Sequence, residues 1–178
     1  MQSRNSRNTQ GIDVSHHNGK IDWLKVKADG RVFAFIKASQ GKSFRDDQFV
    51  TNVRGARAAG LLVGAYHFLN ATTLDDARAE ASNFAAAIQV AGGADSFELP
   101  PVLDYENNPG GLSAAQITAV AIAFLVEIER LTDRRPIIYT GNSFAGFFDV
   151  FLGSYKLWIA RYSDKVPTDT KAWSKWDI

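Results

Sequence analysis

Short apolar runs alternate with helical stripes from Gly11 to Ala160, and that alternation limits the folds open to this chain. Gly11–Val14, Val32–Ile36, Leu61–Phe68, the run into Asp104, Pro136–Thr140 and Lys156–Ala160 read as strands. Between them, Asp22 can cap a short helix over Trp23–Ala28. Asp46–Ala59 carries Phe49, Val53 and Ala56 on one stripe and stops at Gly60. A helix from Thr73 to Val90 buries Ala77, Ala81, Phe84 and Ile88. Ser113 and Gln116 form a capping box ahead of the stripe Ile117, Val120, Phe124, Ile128 and Leu131. Asn142–Phe148 reads as a short helix or turn. Strand–helix units with nearly continuous apolar strands predict an α/β fold with a parallel sheet covered by helices. An open doubly wound sheet and a closed barrel both satisfy this pattern. The first strand–helix junction has no GxGxxG or Walker sequence, which disfavours a nucleotide site on an open sheet.

The polar residues at the strand ends narrow the choice. In a barrel, the C-terminal strand ends converge on one mouth. Here they carry Asp13, Lys37, Tyr66 with His67, Asp104 with Glu106, Tyr139, and Trp158 with Arg161. Asp104 and Glu106 are i and i+2, so in a strand they project to one face and Tyr105 to the other. Their Cα atoms would lie roughly 6.5–7 Å apart, and two acids that close resist double ionisation. A protonated acid beside an ionised one is equipment for cleaving a glycosidic bond. Aromatics around the same mouth offer faces on which sugar rings stack. Taken alone, Asp-x-Glu also fits a solvated strand end, and Asp13 also fits a loop acid capping a turn near Ser15 and Asn18. Tyr66, Tyr139 and Trp158 equally fit core packing with a satisfied polar tip.

Composition removes other classes. A chain of 178 residues fits one domain, and a net charge of +1 without a basic run argues against a nucleic-acid partner. There is no cysteine, so thiol chemistry and cysteine-held metals are excluded. His16, His17 and His67 lack zinc-motif spacing, and no metal site is expected from them. Lys37 and Arg161 are expected to salt-bridge to the acids, with the holding of a substrate carboxylate as the alternative. No stretch approaches the length of a membrane span. Residues 1–10 are polar and are expected to form a flexible leader, not a signal peptide, ahead of a catalytic domain over 11–178.

Gly11-Ile-Asp-Val-Ser-His-His-Asn-Gly19 resembles the opening motif of glycoside hydrolase family 25, the Chalaropsis-type lysozymes. Gly64–Phe68, Pro101–Glu106, Ile138–Thr140 and Leu157–Tyr162 resemble its later strands in the same order. The resemblance implies a modified TIM-like (β/α) barrel and N-acetylmuramidase activity on bacterial peptidoglycan, with no cofactor. It implies Glu106 as general acid and Asp104 as nucleophile or as the group that assists the substrate's 2-acetamido oxygen. It also implies Asp13 as a further acid of the site, and Tyr66, Tyr139, Trp158 and Lys37 as substrate-binding residues. Action at the cell wall follows. The family pattern continues past Trp173–Ile178 with a Trp-Gln-Tyr strand and a strand bearing an Asp-x-Asn acid. Neither is present, so the barrel is expected to be incomplete, with an open edge beside the first strand. The chain is expected to be a monomer unless another chain completes it. A peptidoglycan-binding domain without activity and a chitinase-like glycosidase are the alternative functions. Pro100 and Val102 occupy two acidic positions of the chitinase pattern, which counts against the latter.

Overall fold

The computed structural model describes residues 1–5 and 7–178. Its strands are β1 (Gly11–Val14), β2 (Phe33–Gln40), β3 (Phe44–Arg45), β4 (Leu62–Phe68), β5 (Val102–Asp104), β6 (Ile137–Gly141) and β7 (Leu157–Ala160). Its α-helices are α1 (Trp23–Ala28), α2 (Phe49–Ala58), α3 (Leu74–Val90) and α4 (Ala114–Thr132). The strands lie in the order β1-β2-β4-β5-β6-β7, every neighbouring pair parallel, with β3 antiparallel to the end of β2. The sheet curls into a half-barrel. Its edges, β1 and β7, do not pair with each other. Beyond β7, Ile178 donates its N–H to the Leu157 carbonyl and accepts from the Ile159 N–H, a parallel pairing of the last residue with that edge. Residues 2–5 and 7–10 line a cavity with Phe33, Trp176 and Ile178, and the Trp176 indole N–H donates to the Gln2 carbonyl at 2.9 Å. Among the described residues, no helix is long and apolar enough to cross a membrane.

The caps form as the residue types dictate. Thr73 accepts the Asp76 N–H at the start of α3, where Asp75 and Asp76 also complement the helix dipole. Ser113 and Gln116 close the capping box of α4. The second helix was expected from Asp46 but begins at Phe49. Asp46 is instead spent on a local bond from the Gln48 N–H and a distant one from the His16 N–H in the turn after β1.

The sheet has two unlike faces. Alternate residues Ile36, Val63, Ala65, Leu103 and Ile138 enter the large core with Phe84 of α3 and Phe124 of α4. The opposite residues Phe35, Val102 and Ile137 form a smaller core inside the curl, with Phe33, Tyr66, Tyr139 and Trp158 packed against it. Gly64 makes that inner packing feasible: a Cβ there would sit 2.3 Å from the Phe35 ring.

One irregularity decides which side chains at the end of β2 reach the inner face. The β2–β4 register runs Lys37↔Tyr66 and then Ser39↔His67, so Ala38 is an extra residue. Without this bulge, Ser39 would face the inside of the curl. With it, Ala38 joins the outer core, Ser39 pairs with His67, and Gln40 returns to the inside beside Lys37. The strand expected over Val32–Ile36 therefore runs on to Gln40 and turns back into β3.

Candidate active site

The strand ends build a cleft of about 230 Å³ on the inner face. Asp13 comes from β1, Lys37 from β2, Tyr66 and Phe68 from β4, Asp104 from β5, Tyr139 from β6 and Trp158 from β7. All seven residues singled out from the sequence, Asp13, Lys37, Tyr66, Asp104, Glu106, Tyr139 and Trp158, line it. β5 ends at Asp104, so Glu106 stands in the following loop, not in the strand. Both acids nevertheless face the cleft while Tyr105 lies buried in the outer core, the alternation expected for an extended backbone. The Tyr105 N–H donates to the Tyr139 carbonyl and its own carbonyl accepts from Thr140 Oγ1 at 2.8 Å. These bonds continue the sheet geometry beyond the strand and fix where Glu106 projects.

The two acids differ in exposure. Asp104 is only 7% exposed, and its Oδ1 is buried without a hydrogen-bond partner. Glu106 is exposed. Burial lifts the Asp104 pKa well above 3.8, the neighbouring charges of Glu106 and Asp13 lift it further, and Lys37 opposes them. Glu106 is also raised, first by partial desolvation of its carboxyl and then by Asp13, again against Lys37. Asp13 is raised by burial. Three carboxyls thus share one cleft with one lysine, and protons are retained there above the usual carboxylate range.

Lys37 itself is lowered by desolvation, with Asp104, Asp46 and Glu106 pulling the other way. The expected salt bridge does not form. Lys37 Nζ donates to Gln40 Oε1 at 2.7 Å and lies 5.1 Å from the centroid of the Phe68 ring. The bulge at Ala38 is the reason, because it brings Gln40 to the same side as Lys37. Arg161 does not pair with an acid either. Its Nη1 donates to the Val166 carbonyl at 2.8 Å, and it lines an adjoining cavity instead of the cleft.

The aromatics wall the cleft. Tyr139 and Trp158 meet edge to face at 4.7 Å, and Trp158 lies 4.8 Å from Phe35 on the cleft floor. Burial raises the hydroxyls of Tyr66 and Tyr139, keeping both protonated as donors. Asp13 is not the turn cap. Ser15 is, accepting the His17 N–H while its own N–H donates to Asn18 Oδ1 at 2.8 Å.

His67 turns away from the cleft. It is fully buried between Ser39 Oγ, 2.8 Å from Nδ1, and Glu80 Oε2, 2.9 Å from Nε2. Period-two alternation held that signal, since Tyr66 faces inward and its neighbour must face out. Ser15, His17, Phe68 and Tyr162 line the cleft without having been singled out. Phe68 was legible by the same alternation, two residues after Tyr66. Tyr162 lies past the end of β7, where no periodicity applies. Among the described residues, no group of three or more histidines and acids is arranged to hold a metal ion.

Known proteins resemble this chain in sequence and in fold. The chain is 35% identical over 179 residues to lysozyme M1 of Streptomyces globisporus, covering 94% of this chain and 59% of that protein. It is 31% identical over 179 residues to N,O-diacetylmuramidase of Chalaropsis sp, covering 92% of this chain and 83% of the relative. The crystal structure of the bacterial lysozyme from Streptomyces coelicolor superposes with a TM-score of 0.83 at 34% identity, covering 97% of this chain and 82% of that one. The chain thus spans about three-fifths of the length of lysozyme M1. The sequence pattern of Glycosyl hydrolases family 25 matches residues 12–178, and with the half-barrel and its acidic cleft in place, the chain belongs to that family.

Proposed function

We propose that this chain is a 1,4-β-N-acetylmuramidase, a lysozyme that hydrolyses the glycosidic bond from N-acetylmuramic acid to N-acetylglucosamine in bacterial peptidoglycan. The observation that carries the reading is that Asp13, Asp104 and Glu106 share one cleft walled by Tyr66, Tyr139 and Trp158. Residues 11–178 form its catalytic domain, and residues 1–10 a leader. It acts at the cell wall as a monomer, without a cofactor or a nucleic-acid partner.

Glu106 is the general acid. Its raised pKa keeps a proton available, and its exposure puts that proton where a glycosidic oxygen can reach it. As the C1–O bond breaks, the proton passes to the leaving oxygen and positive charge grows on the sugar. Asp104 answers that charge. The reacting form carries Asp104 ionised and Glu106 protonated; burial among other acids makes the Asp104 anion costly, so a cation growing beside it is stabilised more in the transition state than in the ground state. It does so as nucleophile or by holding the substrate's 2-acetamido group. The buried, unpartnered Oδ1 supports the second route, because an acetamido N–H would satisfy it. Lys37 limits how far both acids are raised, and Asp13 adds negative charge across the cleft.

The test is clearing of a cell-wall suspension. Wild type should clear it, and Glu106→Gln should slow clearing by about 10²–10⁴-fold, the usual worth of a general acid. Undiminished clearing by that variant would remove Glu106 from the role. Reducing-end muramic acid in the digest would support a muramidase, and reducing-end N-acetylglucosamine would oppose it.

A further inference from the structure

A second cavity, of about 490 Å³, adjoins the cleft at Glu106. Glu106 and Tyr162 line both spaces, so the two meet at the carboxyl of the general acid. Their linings differ in charge. The cleft holds Asp13 and Asp104, whereas the second cavity holds Arg161 with Asn142, Ser143 and Phe147. We propose that the second cavity receives the leaving half of the cut glycan, and that Arg161 pairs there with a carboxylate carried on it. This rests on the muramidase reading.

A general acid has to touch the oxygen joining the two halves of its substrate, so the halves must lie on either side of it. Asp104 marks the side where charge develops on the sugar being attacked. The other side of Glu106 therefore belongs to the leaving group, and the second cavity, which shares Glu106 with the cleft but is not lined by Asp104 or Asp13, is the space available for it. The leaving half begins with an uncharged N-acetylglucosamine. The next sugar along carries a lactyl group that ends in a carboxylate or in a peptide stem with carboxylates of its own.

Arg161 is built to meet such a group. It follows β7 directly, and Asn142 follows β6. Its Nη1 donates to the Val166 carbonyl at 2.8 Å and to Asn142 Oδ1 at 3.4 Å. Asn142 Oδ1 also accepts the Thr168 N–H at 2.9 Å, and Asn142 Nδ2 donates to Thr168 Oγ1 at 3.2 Å. Those bonds hold the loop and one edge of the guanidinium in place. Among the described residues no carboxylate forms an ion pair with Arg161. A guanidinium fixed at one edge presents its remaining N–H groups in the fork that carboxylates fit. The half-exposed Phe147 ring supplies an apolar face in the same cavity.

The experiment compares wild type, Arg161→Gln and Arg161→Lys on three soluble wall glycans: with peptide stems, with stems removed to leave lactyl carboxylates, and with all carboxyls amidated. Arg161→Gln should raise KM on the stem-bearing glycan on the order of tenfold, the range of one charge-assisted hydrogen bond, and leave kcat within about twofold. Arg161→Lys should recover part of the loss. The penalty should vanish on the amidated glycan. If it persists on the stem-free glycan the partner is the lactyl carboxylate, and if it vanishes there the partner is the stem. Equal KM for wild type and Arg161→Gln on every carboxylate-bearing glycan overturns the proposal, as does an unchanged penalty on the amidated one. Should Arg161→Gln fail to fold, the wild-type KM decides. It should rise with salt on carboxylate-bearing glycan more than on amidated glycan, and equal salt responses overturn the pairing. A wild type that cuts none of the three glycans would sink the muramidase reading, whereas failure of the pairing alone leaves wild type and Arg161→Gln both cutting them with equal KM.

Discussion

Glu80 and Asp104 are both acids shut away from solvent, at 2% and 7% exposure, on opposite faces of one sheet. On the outer face, Glu80 Oε2 accepts the Asn70 N–H at 2.9 Å and sits 2.9 Å from His67 Nε2. His67 is in turn bonded to Ser39, so the network is closed, and it ties the bulged end of β2 to β4 and α3. On the inner face, Asp104 looks toward two further acids and keeps an oxygen unpartnered. Burial costs both groups hydration, and only one is compensated by the fold. A satisfied buried acid serves the structure. An unsatisfied one among like charges is retained at the expense of stability, the usual signature of a working site.

Substitution on each face can break that contrast. Asp104→Asn should cut turnover of wall glycan on the order of 10²–10³-fold, as loss of one electrostatic group in a site does. The same change should raise the melting temperature at neutral pH. The folded-state pKa of Asp104 lies above the unfolded value of 3.8. Ionisation therefore opposes folding as pH climbs from about 3.8 through the higher folded value. Asparagine escapes that penalty, and its advantage should disappear below about pH 3.8. A thermal melt series across pH checks the sign, and a lower melting temperature at pH 7 would remove the contrast. On the outer face, Glu80→Ala should do the opposite, costing about 1–3 kcal/mol in denaturant unfolding for each of the two groups, His67 Nε2 and the Asn70 N–H, that it leaves unpaired.

Lys37→Met probes the one cation among the cleft acids. Without it Asp104 and Glu106 rise further, so the alkaline limb of the activity profile should move to higher pH. A limb that stays put would mean Lys37 does not tune the acids. The smallest effect tests a site far from either face. Asp133 ends α4 at φ 53°, a left-handed conformation that glycine adopts without strain. Asp133→Gly should stabilise the fold by about 0.5–1 kcal/mol and leave activity alone.

The sequence displayed most of the strands, the helices and most of the cleft because these follow from local pattern. Apolar runs marked the strands, the Ser113–Gln116 pair marked α4, and i, i+2 spacing placed Asp104 and Glu106 together. What it concealed depends on pairing between distant segments. The bulge at Ala38 exists only relative to β4, and it decides that Lys37 bonds Gln40 and not an acid. The Ser39–His67–Glu80 chain joins three elements, and none of the three residues shows its partners in its own neighbourhood. Arg161 adjoins the cleft motif in sequence, yet it turns into the next cavity because Val166 and Asn142 hold it there.

The missing side chain at Gly64 has a reach beyond packing. Because Phe35 can lie flat across β4 and touch Trp158, the half-barrel is plugged beneath its acids. It is a bowl, not a tunnel. In the proposed muramidase, a glycan resting on Asp104 comes in over one lip and goes out over another with no free end to thread, so cutting begins anywhere along a strand anchored in a mesh at both ends.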